Sequence, residues 1–176
     1  MGKYTFKVLL LGAPSVGKTS ILYKYVRNEF SQDYITTIGT NFLMKDIKPD
    51  GKNRVELVIW DIAGHKRFRL LRKEFYVGTN GALVIFDLTR YSTFEEIEEW
   101  VSEMFEILEI NIPFVLIGNK SDLIKEIGRT FENTNAKDYA EQYGSRYVET
   151  SAKTGENIEE AFKELANLMI TFIKEK

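Results

Sequence analysis

Several short runs of the chain are apolar almost throughout: FKVLLLG (6–12), VELVIWD (55–61), GALVIFDLT (81–89) and PFVLIGNK (113–120). Runs of this length without polar alternation predict strands buried on both faces, as in a parallel sheet. A further strand is predicted at 41–47, joined to 55–61 by KPDGKN, whose Pro49-Asp50-Gly51 signals a turn. That pair is therefore expected to be an antiparallel hairpin. A short sixth strand is expected near Arg146–Glu149. Between the strands apolar residues recur at helical spacing. Phe94, Ile97, Trp100, Val101, Met104, Phe105 and Leu108 follow Ser92 and Glu95, which have the spacing of a capping box. Ile158, Ala161, Phe162, Leu165, Met169, Phe172 and Ile173 form a C-terminal stripe. Both stripes read as core. Alternating strands and helices predict a doubly wound α/β fold that binds ligands where its strands end. The segments just after strands are thus the places to look for chemistry.

Composition narrows the choice. The 176 residues, 44% hydrophobic, suit one domain spanning 1–176. With 24 Lys+Arg against 26 Asp+Glu there is no basic field for nucleic acid. The absence of cysteine removes disulfides, thiolate metal sites and prenylation within the chain. MGKYTFKVLLLG is too short for a signal peptide, and Phe6 stands where the myristoylation pattern wants Ser or Thr. No run approaches membrane-spanning length. The chain accordingly reads as soluble, cytoplasmic and monomeric, with no lipid anchor of its own; a longer, lipid-modified native C-terminus and peripheral membrane contact through partners both stay open.

Directly after the first strand stands Gly12-Ala13-Pro14-Ser15-Val16-Gly17-Lys18-Thr19, the pattern G-x-x-x-x-G-K-[ST]. Backbone N–H groups of such a loop cradle a phosphate at a helix N-terminus. Lys18 adds charge toward the β and γ phosphates, and the Thr19 hydroxyl suits Mg²⁺. A chance match in a chain this long is expected about once in a hundred, so the loop outweighs a mere Gly-rich turn. Asn119-Lys120-Ser121-Asp122 follows the fifth strand and Ser151-Ala152-Lys153 the sixth. A carboxylate such as Asp122 can accept from both N1–H and the 2-amino group of guanine, a donor pair that adenine lacks. Built around a buried carboxylate, a site would reject the wrong base by about 10⁴-fold. Asp61-Ile62-Ala63-Gly64 is a D-x-x-G, uninformative alone but meaningful after a buried strand with a phosphate loop nearby. Asp61 would hold Mg²⁺ through water, and the Gly64 N–H would sense the γ phosphate.

With these motifs, the chain resembles the small GTPases of the Ras superfamily along essentially its whole length. TIGTNF (37–42), VELVIWDIAGHKRF (55–68) and FYVGTNGALVIFDLT (75–89) are most similar to the Rab branch. The resemblance implies a six-stranded P-loop NTPase sheet, five strands parallel and one antiparallel, with about five helices on its two faces. It implies a GTP-binding switch that hydrolyses GTP to GDP and phosphate with Mg²⁺, and that recruits effector, exchange-factor and activating proteins. Guanine nucleotide would be held by Pro14, Ser15, Val16, Gly17, Lys18, Thr19, Ser20, Gly64, Asn119, Lys120, Asp122, Leu123, Ser151, Ala152 and Lys153. Phe30 would pack on the base and Tyr34 cover the phosphates. Mg²⁺ would be held by Thr19, Thr37 and Asp61, and residues about 62 to 77 would form the second switch. His65, Lys18, Thr37 and Gly64 would act at the γ phosphate.

Two residues depart from that pattern. His65, the chain's single histidine, stands where most Ras and Rab proteins have the glutamine that orients the attacking water. Pro14 stands where Ras has glycine; it lacks an N–H, stiffens the loop and crowds the path of a partner's arginine. Binding should survive both, whereas unaided hydrolysis should be slow. The rival reading is a module that holds GTP or GDP constitutively; a P-loop ATPase is a weaker one. Intact Lys18, Thr19, Thr37, Asp61 and Gly64 oppose the first, and the Asn119–Asp122 and Ser151–Lys153 pair opposes the second.

Overall fold

The computed structural model describes residues 2–33, 36–128 and 132–176. Its single sheet runs β1 (Lys3–Leu11), β2 (Thr40–Ile47), β3 (Arg54–Ile62), β4 (Gly81–Asp87), β5 (Phe114–Asn119) and β6 (Arg146–Thr150), in the spatial order β2-β3-β1-β4-β5-β6. β2 and β3 are antiparallel, from Thr40 opposite Ile62 to Ile47 opposite Val55, and every other pairing is parallel. The hairpin turn is fixed as its sequence suggests. Asp50 Oδ1 accepts from the N–H groups of Lys52 and Asn53, and Gly51 takes φ 72°.

Helices cover both faces: α1 (Lys18–Arg27), α2 (Arg69–Tyr76), α3 (Tyr91–Glu95), α4 (Ile97–Leu108), α5 (Ile124–Ile127), α6 (Asn133–Gln142) and α7 (Ile158–Lys174). Phe6, Val8 and Leu10 of β1 join Leu83, Ile85, Val115 and Ile117 beneath α1 and α7. Leu9 and Leu11 join Val84, Phe86 and Leu116 beneath α4 and α6. Successive residues of a strand point to opposite faces, so two cores require apolar residues at every position of the central strands.

Three expectations fail locally. The 55–61 run is buried on one face only: Val55, Leu57 and Ile59 are core, while Glu56, Val58 and Trp60 are half-buried. α2 shields that outer face incompletely, through contacts such as Phe75 against Trp60. Ser92 and Glu95 form no capping box. α3 begins at Tyr91, its N-cap Arg90 makes no side-chain cap bond, and Ser92 lies inside the helix. Thr93 sets the start instead, donating to the Arg90 carbonyl at 2.7 Å and accepting from the Asp87 N–H at 2.9 Å. Finally, Ile173 is exposed rather than core, since the last turns of α7 run past Gly81, where β4 begins.

Candidate nucleotide site

The loops after β1, β3, β5 and β6 surround one cavity of about 830 Å³ at the carboxyl end of the sheet. The crevice is a consequence of strand order: β1 passes to β3 on one side and to β4 on the other, so the following loops diverge. Of the expected binding residues, Pro14, Ser15, Gly17, Lys18, Thr19, Ser20, Phe30, Thr37, Gly64, His65, Asn119, Lys120, Asp122, Leu123, Ala152 and Lys153 line it. Val16 and Ser151 are fully buried behind the wall, as is Asp61. Tyr34 lies outside the described residues.

At the loop after β1, Lys18 Nζ donates to the Gly12 and Ala13 carbonyls at 2.8 Å each. Burial pushes its ammonium down to about 8, with Asp61 pulling the other way. A phosphate anion would supply the negative charge that such a buried cation lacks. Gly17, at φ 104°, has no room for a side chain, because a Cβ would lie 2.2 Å from Asn119 Nδ2. Asn119 is accordingly a staple. Its Nδ2 donates to the Val16 carbonyl at 2.9 Å, and its Oδ1 accepts from Thr150 Oγ1 and the Ala152 N–H. It thereby ties the β1, β5 and β6 loops together. Arg90 braces the loop from outside by donating to the Pro14 carbonyl at 3.0 Å, a contact the sequence did not announce.

Three oxygen-bearing side chains from three segments meet beside Lys18. The Thr19 and Thr37 hydroxyls bond each other at 2.8 Å. Thr19 Oγ1 donates to Asp61 Oδ2, and Thr37 Oγ1 reaches the same oxygen at 3.5 Å. Asp61 Oδ1 is buried with no hydrogen-bond partner among the described residues. Burial pushes the Asp61 carboxyl up, opposed by the Thr19 bond and the Lys18 charge. A buried, unsatisfied carboxylate oxygen is costly, and a hard divalent cation with oxygen ligands is what would relieve it. The cluster therefore fits Mg²⁺.

At the other end, Ser151 Oγ donates to Asp122 Oδ1 at 2.6 Å and accepts from the Thr154 N–H at 3.1 Å. Ser151 thus aims the carboxylate and leaves its other lone pairs for a ligand. Asp122 itself is half-buried, not buried as expected, because it forms the rim of the open cavity. Lys120 lies in the left-handed region at φ 72°, and its Nζ pairs with Asp87 Oδ2 at 2.7 Å. Burial pushes Asp87 up, but the bonds from Lys120 and Thr89 outweigh it and hold the carboxyl below its usual range. Phe30 stands at the mouth of the cavity, 39% exposed.

Gly64 is seated against the phosphate loop: a Cβ there would meet the Gly12 carbonyl oxygen at 2.6 Å and Lys18 Nζ at 2.8 Å. Gly64→Ala is therefore expected to push residue 64 off the loop. GTP affinity should fall about tenfold, while GDP affinity, which involves no γ phosphate, should change less than about threefold. Fluorescent-nucleotide titration checks this, and equal losses for the two nucleotides would count against it. His65 lines the cavity next to Gly64, and its imidazole has no hydrogen bond among the described residues. Sequence reasoning missed Tyr23, Arg27, Glu29, Ser31, Gln32, Asp33 and Thr36 of the lining. They lie on α1 and the loop after it, where no motif marks them.

Comparison with known proteins agrees with this geometry. The model of the Ras family matches residues 7–171. The chain is similar to the Ras-related protein Rab-21 of Bos taurus, 42% identical over 167 residues that cover 95% of this chain and 74% of that protein. The Homo sapiens Rab-21 is likewise 42% identical over 167 residues, with 73% of its length covered.

Proposed function

Since the chain belongs to the Ras family, binds GTP and GDP with Mg²⁺ and hydrolyses GTP, we propose how its own residues carry out that cycle. Lys18 and the backbone N–H groups of 15–19 hold the phosphates. Asp122, aimed by Ser151, reads guanine, with Lys120, Ala152 and Phe30 enclosing the base. Thr19, Thr37 and Asp61 hold Mg²⁺, which neutralises charge on the phosphate oxygens. The observation that carries this division is the meeting of Thr19, Thr37 and the unsatisfied Asp61 carboxylate beside Lys18.

In hydrolysis, water attacks the γ phosphorus and the bond to the β–γ bridging oxygen breaks, leaving GDP and phosphate. Positioning and charge stabilisation supply the rate, so no side chain needs to become a nucleophile. His65 is proposed to orient the water. Glutamine can accept from water and donate to phosphate from one amide, whereas neutral imidazole carries its donor and acceptor on opposite sides of a rigid ring. Unaided turnover should therefore be at or below the order of 10⁻⁴ s⁻¹, the scale of unassisted Ras. His65→Gln, which restores an acceptor and a donor to one amide, is therefore expected to speed single-turnover hydrolysis of GTP, and His65→Ala to slow it. If His65→Ala matches the wild type, the histidine has no part in the reaction.

The two segments that touch the γ-phosphate end, around Thr37 and from Gly64 to Tyr76, are proposed as the switches. Next to them Phe42 stacks on Trp60 at 5.0 Å, Trp60 meets Phe75 at 5.9 Å, and Ile38, Met44, Leu70 and Leu71 are exposed. An apolar surface of this kind beside nucleotide-sensing loops supports effector binding there. Among the described residues no helix is long and apolar enough to cross a membrane. We place residues 1–176, as one G domain, in the cytoplasm.

A further inference from the structure

The second switch carries a dense basic run, Lys66-Arg67-Phe68-Arg69-Leu70-Leu71-Arg72-Lys73. Across from it α4 presents Glu99 and Glu103, one helical turn apart. Two of the resulting pairs are surface pairs of little consequence: Lys66 to Glu99 and Arg69 to Glu99, each at 3.6 Å. One is different. Arg72 and Glu103 are 4% and 3% exposed. Arg72 Nη2 reaches Glu103 Oε1 at 3.1 Å and Oε2 at 3.2 Å, and its Nε reaches Oε1 at 3.3 Å. Tyr76 Oη donates to the same carboxylate at 3.0 Å, and Arg69 Nε reaches it at 2.7 Å. The Arg72 guanidinium lies 4.2 Å from the centre of the Trp100 ring, so one face rests on the α4 core.

The remaining arm of this guanidinium points at the reaction site. Arg72 Nη1 donates to the His65 carbonyl at 3.3 Å, an oxygen that also accepts from the Phe68 N–H at 3.0 Å. On its other side His65 follows Gly64, pressed against the phosphate loop. The backbone of residue 65 is thus fixed at both ends, to the phosphate loop and to α4. We propose that Arg72, anchored by Glu103 and Trp100, is a positioning residue for His65, mounting the imidazole on α4 instead of leaving it to γ-phosphate contacts alone. This rests on the role assigned to His65 above. The clamp engages no group of the nucleotide, so Arg72 is expected to keep hold of the His65 carbonyl in GDP-loaded protein, while the rest of the second switch is released with the γ phosphate.

The single histidine makes the test direct, because the imidazole gives one Cε1–H signal in the proton spectrum. Replacing the pair together, Arg72→Met with Glu103→Leu, removes the clamp without leaving a buried charge unpaired. In GDP-loaded protein this variant should shift or sharpen the His65 signal toward that of a freely moving histidine, with GDP affinity changed less than about twofold. Single-turnover GTP hydrolysis should slow about 10- to 100-fold, the scale of a reacting group misplaced by about an ångström. In a His65→Ala background the same pair should slow hydrolysis less than about twofold, since nothing remains to be positioned. An unchanged His65 signal overturns the clamp, as does equal slowing with and without His65. If the pair variant does not fold, Arg72→Lys serves: it keeps a charge against Glu103 but lacks the guanidinium fork that also reaches the His65 carbonyl. If His65→Ala hydrolyses GTP as fast as the wild type, the catalytic role of His65 fails, while the GDP-state signal still decides the clamp on its own.

Discussion

Asp122→Asn is expected to weaken GTP binding by about 10³-fold or more and to raise affinity for xanthosine triphosphate relative to GTP. Ser151 Oγ donates to Asp122 Oδ1 at 2.6 Å, which fixes the carboxylate plane at the cavity rim. Its free lone pairs can accept from the two adjacent donors of guanine. An amide in the same place offers one oxygen and one N–H group facing the ligand. Its N–H would confront a guanine N–H, and neither donor would find an acceptor. Xanthine carries an oxygen where guanine carries the 2-amino group, and that oxygen accepts what the amide donates. Competition of GTP, xanthosine triphosphate and ATP for one fluorescent nucleotide measures all three preferences. Equal binding of GTP and ATP by the unmutated protein would refute the assignment of Asp122.

Asp61→Ala should uncouple nucleotide retention from Mg²⁺. In the wild type, chelation is expected to speed GDP release by about 10- to 100-fold, because it strips a cation from a buried carboxylate and leaves Asp61 Oδ1 unsatisfied again. In the alanine variant GDP should leave quickly from the start, and chelator should change the rate less than about twofold. Stopped-flow release of a fluorescent GDP with and without chelator reads both numbers. Asp61→Asn separates charge from shape: it preserves the bond that Thr19 Oγ1 donates, so a wild-type response from it would show that the cation does not depend on the Asp61 charge.

The parts of the site written as contiguous segments after strands were legible. A loop between a buried strand and a helix must approach the ligand with its backbone, so Gly12–Thr19, Asp61–Gly64 and Asn119–Asp122 declare themselves by position as well as by residue type. The sheet was legible too, since only a strand covered on both faces needs an unbroken apolar run. What failed was local competition. The 55–61 run is as apolar as its neighbours, yet incomplete cover by α2 leaves Trp60 half-buried. Ser92 and Glu95 have the right spacing for a cap, but Thr93 already binds the Asp87 N–H and the Arg90 carbonyl. Contacts across sequence were invisible: Arg72 and Glu103 are 31 positions apart, and Arg90 and Pro14 are 76. Neither pair has a spacing rule, because the fold alone brings them together.

β2 lies at the margin of the sheet, so among the described residues one side of its backbone from Thr40 to Ile47 faces no other strand. The N–H and C=O groups of the alternate residues that point away from β3, flanked by the exposed Phe42 and Met44 side chains, are a template on which another extended chain could polymerise. The countermeasures are charge and proline. Asp46 interrupts the exposed apolar row, held outward by Arg54 at 2.8 Å, and Lys48-Pro49 ends the strand. Colloidal stability should accordingly depend on this short acidic and basic pair more than on the nearly neutral net charge of the chain. Asp46→Val, with no effect on the nucleotide cavity, should turn a dispersed protein into one that gels on concentration.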